Sequence, residues 1–309
     1  MKKILILGGN GYIGSRLRQV LREHHFVKTN DICWFAHDET SNRRDYHKYT
    51  REELAEFEVI VVLAGHPSVP SCLGALSGPW LNNVTNFTDL LDKTDNQLII
   101  YASSASVYGN SKPGEQHSEA NTHFTPVNNY DVTKYALDQQ ATIANLKGRQ
   151  VIGLRFGTVN GYSPNLRVDV MINSMYHSVQ NGTGIQVTNR HISRAMLGIE
   201  DLCRAVVRCI EHPVAGIYNL ASFNSTVGAI AQAVSQKLGA EIIDRGTTAN
   251  AYDFALDTTL FEQTFDFTFT ETPATIVDSL IENYEQATPQ WRDKYIIYNW
   301  EPENAYQQR

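Results

Sequence analysis

Tyr130 and Lys134 stand four residues apart in Tyr130-Asp131-Val132-Thr133-Lys134. Four residues is one helical turn, so a helix through this stretch would present phenol and ammonium to the same pocket. A free phenol ionises near pH ~10, and an ammonium beside it favours the phenolate, which makes the tyrosine a usable proton donor and acceptor. Hydroxyls that could join them cluster upstream in Ser103-Ser104-Ala105-Ser106-Val107-Tyr108-Gly109. Taken alone, a tyrosine and a lysine at this spacing are usually a solvated helix face, and serines after a strand are commonly turn formers. Their meaning depends on the elements that hold them.

The run Ile4-Leu5-Ile6-Leu7 is apolar on both faces, as a strand inside a parallel sheet must be. Gly8-Gly9-Asn10-Gly11-Tyr12-Ile13-Gly14 follows, and Ile13, Leu17, Val20 and Leu21 then recur at helical spacing. Strand, glycine loop and helix in that order form a dinucleotide-binding turn. Gly8, Gly11 and Gly14 permit a tight turn and close approach of a pyrophosphate, with Tyr12 and Ile13 at the helix start, whose N-terminus attracts negative charge. Phe26 to Asp31 reads as the second strand, and Asp31 would accept hydrogen bonds from the adenosine ribose and repel a 2′-phosphate, favouring NAD. Arg43 and Arg44 keep NADP as the alternative.

Val59 to Val62 is a further buried strand, ending in Leu63-Ala64-Gly65, small enough for a cofactor to lie across. Trp80, Leu81, Val84, Phe87, Leu90 and Leu91 mark a helix whose stripe is core or subunit interface, with Asn83 near its start as a cofactor ligand or a buried structural amide. Leu98 to Ala102 is the strand that delivers the serines to its C-terminal end, where open α/β sheets bind ligands. Pro126 and Asn128-Asn129 announce the helix that carries Tyr130 and Lys134. Val151 to Phe156 is read as a sixth strand. This alternation specifies an α/β fold, a Rossmann-type doubly wound parallel sheet.

The pattern loosens at Gly157. Helices are expected over Val168 to Val179, Leu202 to Ile210 and Val227 to Leu238, the last stopped by Gly239, with Ile185 to Val187 and Ala195 to Ile199 as short apolar runs between them. Thr272-Pro273 opens a final helix. Two domains are expected: residues 1–157 as the NAD(P)-binding Rossmann domain, and 158–309 as a smaller α/β substrate-binding domain interleaved with the last Rossmann elements, about 190–225. The aromatic tail, with Trp291, Tyr295, Tyr298 and Trp300, should pack on the body or on a second subunit.

In 309 residues, 26 Lys and Arg stand against 33 Asp and Glu. That balance leaves no basic footprint for nucleic acid and no polybasic membrane patch, so a small-molecule partner is expected. Cys33, Cys72, Cys203 and Cys209 lack metal or redox spacing and read as reduced thiols of a cytoplasmic protein, and the scattered histidines suggest no metal. No apolar run reaches membrane length.

Together, the glycine loop, Asp31, the serine cluster and the Tyr130/Lys134 pair resemble the extended short-chain dehydrogenase/reductase family, in its NAD-dependent sugar-nucleotide epimerase/dehydratase branch. The resemblance covers roughly residues 1 to 285. It implies Gly8, Gly11 and Gly14 as the cofactor glycines, Asp31 as the ribose ligand, Leu63, Ala64, Gly65 and Asn83 along the cofactor, and Ser104, Tyr130 and Lys134 as the catalytic set. It further implies a substrate-diphosphate ligand at Arg194, which leads a block matching the family's. Two departures stand out. Ala105-Ser106 occupy the place of the dehydratases' acidic pair, which disfavours dehydration. Thr158 replaces an asparagine that commonly touches the nucleotide-sugar diphosphate, leaving Asn160 and Arg167 to compensate.

The resemblance thus implies an NAD-dependent epimerase of a nucleotide-linked sugar, most simply at C4 through a transient ketone. One alternative is an NAD(P)H-dependent 4-keto nucleotide-sugar reductase using the same residues. Another is a non-catalytic cofactor-binding protein. A homodimer through the Trp80–Leu91 stripe and the helix after Tyr130 is the family's usual assembly.

Overall fold

The computed structural model describes residues 1–33, 41–72, 77–112, 114–121, 123–248 and 251–290. Six strands, all parallel, form the central sheet: β1 (Lys3–Leu7), β2 (Phe26–Asn30), β3 (Val59–Val62), β4 (Leu98–Ser104), β5 (Val151–Phe156) and β6 (Gly216–Leu220). Their spatial order is β6-β5-β4-β3-β1-β2. Leu7 lies level with Asn30 on one side and Val62 on the other. The strand order therefore reverses at β1, where such sheets leave a crevice at their C-terminal ends.

Ile4, Leu5, Ile6 and Leu7 are fully buried, Ile4 and Ile6 in the core on one face of the sheet and Leu5 and Leu7 in the core on the other. Each such side chain contributes about 1.5–3 kcal/mol of burial free energy. Val151–Phe156, read as a sixth strand, is the fifth in the chain; the sixth strand of this sheet is Gly216–Leu220, reached only after a long crossover through the second half. Its mixed sequence, Gly-Ile-Tyr-Asn-Leu, carries too short an apolar run to stand out.

That crossover builds a second layer. Thr158–Asn160 pairs parallel with Ser193–Gly198, which pairs antiparallel with Phe223–Thr226. The helices Met171–Gln180, Val227–Leu238 and Pro273–Asn283 pack beside them, Gly239 closing the second in the left-handed region at φ 63°. Ile172, Ile230 and Ile276 share one core with Ile4 and Ile6. Thr288–Gln290 pairs with Asn165–Arg167, so the start of the tail is seated on the body. The aromatic residues from Trp291 onward lie outside the described residues.

Two local features differ from a plain helical reading. The stretch around Trp80 is helical in three pieces, Ser77–Trp80, a π-turn at Leu81–Thr85, and Asn86–Lys93. A π-turn widens the coil by one residue and is frequent at functional sites. The Asn129–Leu146 helix buries not only Leu137 and Ala141 but also Asp131, Lys134 and Asp138. Asp138 accepts from the Tyr101 hydroxyl at 2.8 Å and from Arg155 Nε at 2.8 Å. Arg155 continues to the Tyr108 hydroxyl at 2.6 Å, which donates to Asn219 at 2.9 Å. This closed network ties β4, β5, β6 and the helix together beneath the crevice.

Candidate active site

The crevice is one continuous trough. At one end it is lined by Asn30, Asp31, Asp45, Tyr46, Ala64 and Asn82, and Gly8, Gly11, Leu63, Gly65 and Pro67 run through its middle. The other end, a cavity of about 280 Å³, is lined among others by Ser104, Ser106, Tyr130, Lys134, Thr158 and Arg194. That is far more room than ordered water needs.

The glycine loop is shaped by close approach. Gly8 sits at φ +84°, and a Cβ there would lie 2.7 Å from the Ala64 nitrogen; one on Gly14 would meet the Gly8 carbonyl oxygen at 2.2 Å. Only hydrogen fits at either position. Tyr12 and Ile13 line the trough beside them, and the Tyr12 hydroxyl donates to the Gly161 carbonyl at 2.8 Å, tying the loop to the second half. Asp31 accepts from the Asn10 backbone N–H at 2.9 Å and from the Cys33 N–H at 2.8 Å. A carboxylate has about four acceptor positions, so Asp31 can hold the loop and still receive hydroxyls. The second carboxylate at this end, Asp45, adds to its negative charge. Arg44 pairs with Glu53 at 2.6 Å and stacks 3.9 Å from the Tyr49 ring centre.

Asn83 does not line the trough. Its side chain is buried, accepting from the His66 backbone N–H at 2.7 Å and donating to Thr133 Oγ1 at 2.9 Å. It is the structural amide of the two readings, clamping the turn after Gly65 to the Tyr130 helix, and its neighbour Asn82 is the one at the trough.

At the reacting end, Ser104 caps the short turn Ala105–Tyr108, its Oγ accepting from the Ser106 N–H at 3.2 Å and lying 2.9 Å from Ser106 Oγ. Asn128 caps the next helix, accepting from the Asp131 N–H at 3.1 Å. That cap fixes the turn on which Tyr130 and Lys134 project together. The Lys134 ammonium lies 5.7 Å from the Tyr130 ring centre and donates to the Ala102 carbonyl at 2.8 Å. Burial pushes the Tyr130 phenol up to about 12, a hydrogen bond with Ser104 pulling against it. Burial likewise brings Lys134 down to about 8. Where the ammonium was expected to lower the phenol's pKa, the direction is upward, burial being the largest cause, and the ammonium itself donates to the Ala102 carbonyl.

The residues expected to hold substrate separate into two kinds. Thr158 and Arg194 line the cavity, and the Arg194 Nε is buried with no hydrogen-bond partner, its pKa lowered by burial. Arg167 also lines it, but its fork is engaged by Asp169 at 2.8 and 2.9 Å. Asn160 is fully buried away from the cavity, donating to the Thr158 carbonyl at 2.8 Å and accepting from the Ile172 N–H at 2.8 Å. It starts the Met171–Gln180 helix. It cannot compensate for the asparagine that Thr158 replaces.

Sequence reasoning passed over His66, Tyr252 and Phe254 on the cavity wall and Asp45 and Tyr46 at the far end. Tyr252 and Phe254 alternate on an extended strap whose intervening Asp253 accepts from the Ser193 N–H at 2.8 Å. Their period of two was the only signal, in a segment too short to read. Burial drives His66 down to about 4, so it is neutral at physiological pH. No group of three or more metal-ligating side chains is found among the described residues, nor any helix long and apolar enough to cross a membrane.

A parallel sheet that reverses at a glycine turn, with serine, tyrosine and lysine gathered at its carboxyl end, defines a Rossmann-type oxidoreductase-like enzyme. The sequence model of the NAD dependent epimerase/dehydratase family matches residues 4–221. The chain belongs to that family, and is an NAD-dependent enzyme of the extended short-chain dehydrogenase/reductase type. The ADP-L-glycero-D-manno-heptose-6-epimerase of Brachyspira hyodysenteriae is 24% identical over 245 residues, 72% of this chain and 76% of that enzyme. The UDP-glucose 4-epimerase of Corynebacterium glutamicum is 29% identical over 182 residues, about half of either chain at 53%. Among solved structures, the UDP-glucuronic acid 4-epimerase from Bacillus cereus, in complex with UDP-glucuronic acid and NAD, superposes with a TM-score of 0.78 at 19% identity, covering 92% of this chain and 99% of that one. The NAD-dependent NDP-hexosamine 5,6-dehydratase TunA does so at 0.81, also at 19% identity, covering 93% and 99%. At such identities these likenesses speak for the fold.

Proposed function

We propose that the protein is an NAD-dependent epimerase of a nucleotide-linked sugar, inverting C4 through a transient ketone. The observation that carries this reading is the convergence of Ser104, Tyr130 and Lys134 in a cavity continuous with the Gly8–Gly14 turn and Asp31, with the unpartnered Arg194 guanidinium on its wall. Relatives named as 4-epimerases support it.

Asp31, with Asp45 beside it, would receive the adenosine ribose and reject a 2′-phosphate. Gly8, Gly11 and Gly14 would admit the pyrophosphate, with Tyr12, Ile13, Leu63, Ala64 and Gly65 along it. NAD, when bound, supplies an acceptor that takes a hydride and returns it. Tyr130, as the phenolate, would take the sugar hydroxyl's proton when that carbon is oxidised, and would give it back when the ketone is reduced on its other face. Ser104 donates to the oxygen that becomes the carbonyl. Lys134 holds its positive charge beneath the phenolate. Arg194, a planar fork in a water-poor wall, meets the substrate diphosphate, and Thr158 lies beside it. Protons and electrons balance within the site, so no net redox occurs.

Residues 1–157 with β6 hold the cofactor in this reading, and the rest of 158–309 holds the sugar. Trp80, Leu81, Val132, Ile143 and Leu146 are exposed apolar side chains on the helices flanking β4, and we assign them to a homodimer contact. The free thiols fit a cytoplasmic setting.

The test is a panel of UDP- and dTDP-sugars followed by NMR with no cofactor added. Many turnovers per protein molecule are expected. Turnover only with external NADH or NADPH would replace the epimerase by a ketoreductase.

A further inference from the structure

Asp131, the residue after the catalytic phenol, is fully buried yet belongs to no step above. One of its oxygens, Oδ2, accepts from three donors: the Val127 backbone N–H at 3.1 Å, the Asn128 side-chain amide at 2.9 Å and the Tyr252 hydroxyl at 2.8 Å. Its other oxygen, Oδ1, is buried without a hydrogen-bond partner of good geometry.

An acid in the first turn of a helix is ordinarily a cap, favoured by the exposed N–H groups and the helix dipole. A cap accounts for Val127 and Asn128. It does not account for a phenol brought from 121 residues away. Two walls of the reacting end meet on this one carboxylate: the start of the Tyr130 helix and the strap that carries Tyr252 and Phe254. Each wall also supplies a side chain that lines the cavity, Tyr130 and Tyr252.

We propose that Asp131 is a positioning residue of the reaction centre: a buried carboxylate that draws Tyr252 and the helix start onto itself and, by its charge, opposes ionisation of Tyr130. This rests on the epimerase reading for what Tyr130 does. A phenolate that must first take a proton and then surrender it works between two neighbouring charges. Lys134 favours the ionised form, and Asp131 favours the return of the proton. The ionisable groups that feel Asp131 are Tyr130 on its own helix, Tyr252 on the strap and Cys72 on the Pro70–Cys72 turn, the thiol neutral at working pH because burial raises it to about 11. Burial raises the Asp131 carboxyl above its ordinary value, while the donors on Oδ2 favour its charged form.

The experiment follows the Tyr130 phenol directly, in NAD-loaded protein labelled with ¹³Cζ-tyrosine. Its resonance is assigned by its loss in Tyr130→Phe, and titrated from pH 6 to 12. In Asp131→Asn, which keeps an acceptor for the same donors, the Tyr130 curve is expected about one pH unit lower than in the wild type. Asp131→Glu, which restores the charge, should bring it back. Asp131→Ser removes the same charge should the asparagine variant fail to fold. Superimposable curves, flat ones included, overturn the proposal and leave Asp131 a helix cap, which would lower only the melting temperature. Because the titration needs no sugar, it decides Asp131 even if no nucleotide sugar turns over, an outcome that would count against the epimerase reading alone.

Discussion

The Asn129–Leu146 helix carries two buried polar clusters one turn apart, and they differ in whether their hydrogen bonds close. Around Asp138, each carboxylate oxygen has its donor, Arg155 reaches two acceptors and lies 4.9 Å from the Tyr108 and Phe124 ring centres, and Asn219 passes its amide protons to the His117 and Asp257 carbonyls at 3.0 and 3.1 Å. Around Lys134, a single bond to Ala102 serves the ammonium, while Ser103 Oγ, Asp131 Oδ1 and Arg194 Nε are buried with no partner. A buried polar group left unmade costs about 1–3 kcal/mol. In the proposed reading a ligand completes those bonds, which makes the Asp138 cluster scaffold and the Lys134 cluster the reaction centre.

The largest effects should therefore fall on different measurements. Tyr130→Phe is expected to lower turnover by about 10²- to 10⁴-fold and to leave chemical denaturation almost unmoved, since it removes a hydroxyl from an unfinished network. Asp138→Ala should do the reverse. It strands the Arg155 guanidinium in the core, and a loss of about 3–5 kcal/mol in unfolding free energy is expected. If Tyr130→Phe unfolds the protein while Asp138→Ala merely slows it, the two clusters have been assigned the wrong way round. A smaller effect sharpens the open side. Arg194→Lys keeps the charge but loses the planar fork, so KM for the nucleotide sugar should rise about tenfold with kcat nearly unchanged; an equal fall in kcat would place Arg194 in the reaction itself.

The same distinction explains what could be read from the chain. The sheet was legible because Ile4–Leu7, Val59–Val62 and Leu98–Ala102 are buried on both faces and need no pattern beyond continuous apolarity. The glycine loop, Asp31, Ser104, Tyr130 and Lys134 were legible because each lies in a short local spacing that one strand end or one helical turn converts into geometry. β6, Tyr252 and Phe254 were not, because their places depend on long-range contacts that no local spacing encodes: β6 on the crossover before it, and the strap on its seat against Ser193. Asn83 and Asn160 illustrate a second limit. An amide near a crevice has the same sequence signature whether it faces the ligand or clamps the backbone, and only the filled hydrogen bonds of both residues separate the two. The phenol's upward shift belongs here too, since spacing reports which charge is near but not how much water has been lost.

A last predicted effect, read in pH dependence, tests whether a closed cluster can still carry an unfavourable charge. Glu271 is buried beside Asp201, accepting from the Asp201 backbone N–H at 2.8 Å, while Asp201 itself accepts from the Ser222 hydroxyl at 2.7 Å and the Thr270 and Glu271 N–H groups. Burial first, and then the Asp201 and Glu200 charges, push Glu271 from an ordinary value near 4.5 up to about 7. A folded-state pKa above the unfolded one means that the folded protein binds this proton more tightly. Its contribution to stability is full below pH 4.5 and is lost as pH rises towards 7. Glu271→Gln keeps an acceptor for the Asp201 N–H but cannot ionise, so its melting temperature should gain on the wild type between pH 5 and 7.5 and hold a constant difference above that range. Parallel melting curves across the whole range would mean that Glu271 is ionised in both states, and that closure of its hydrogen bonds has already offset the charge.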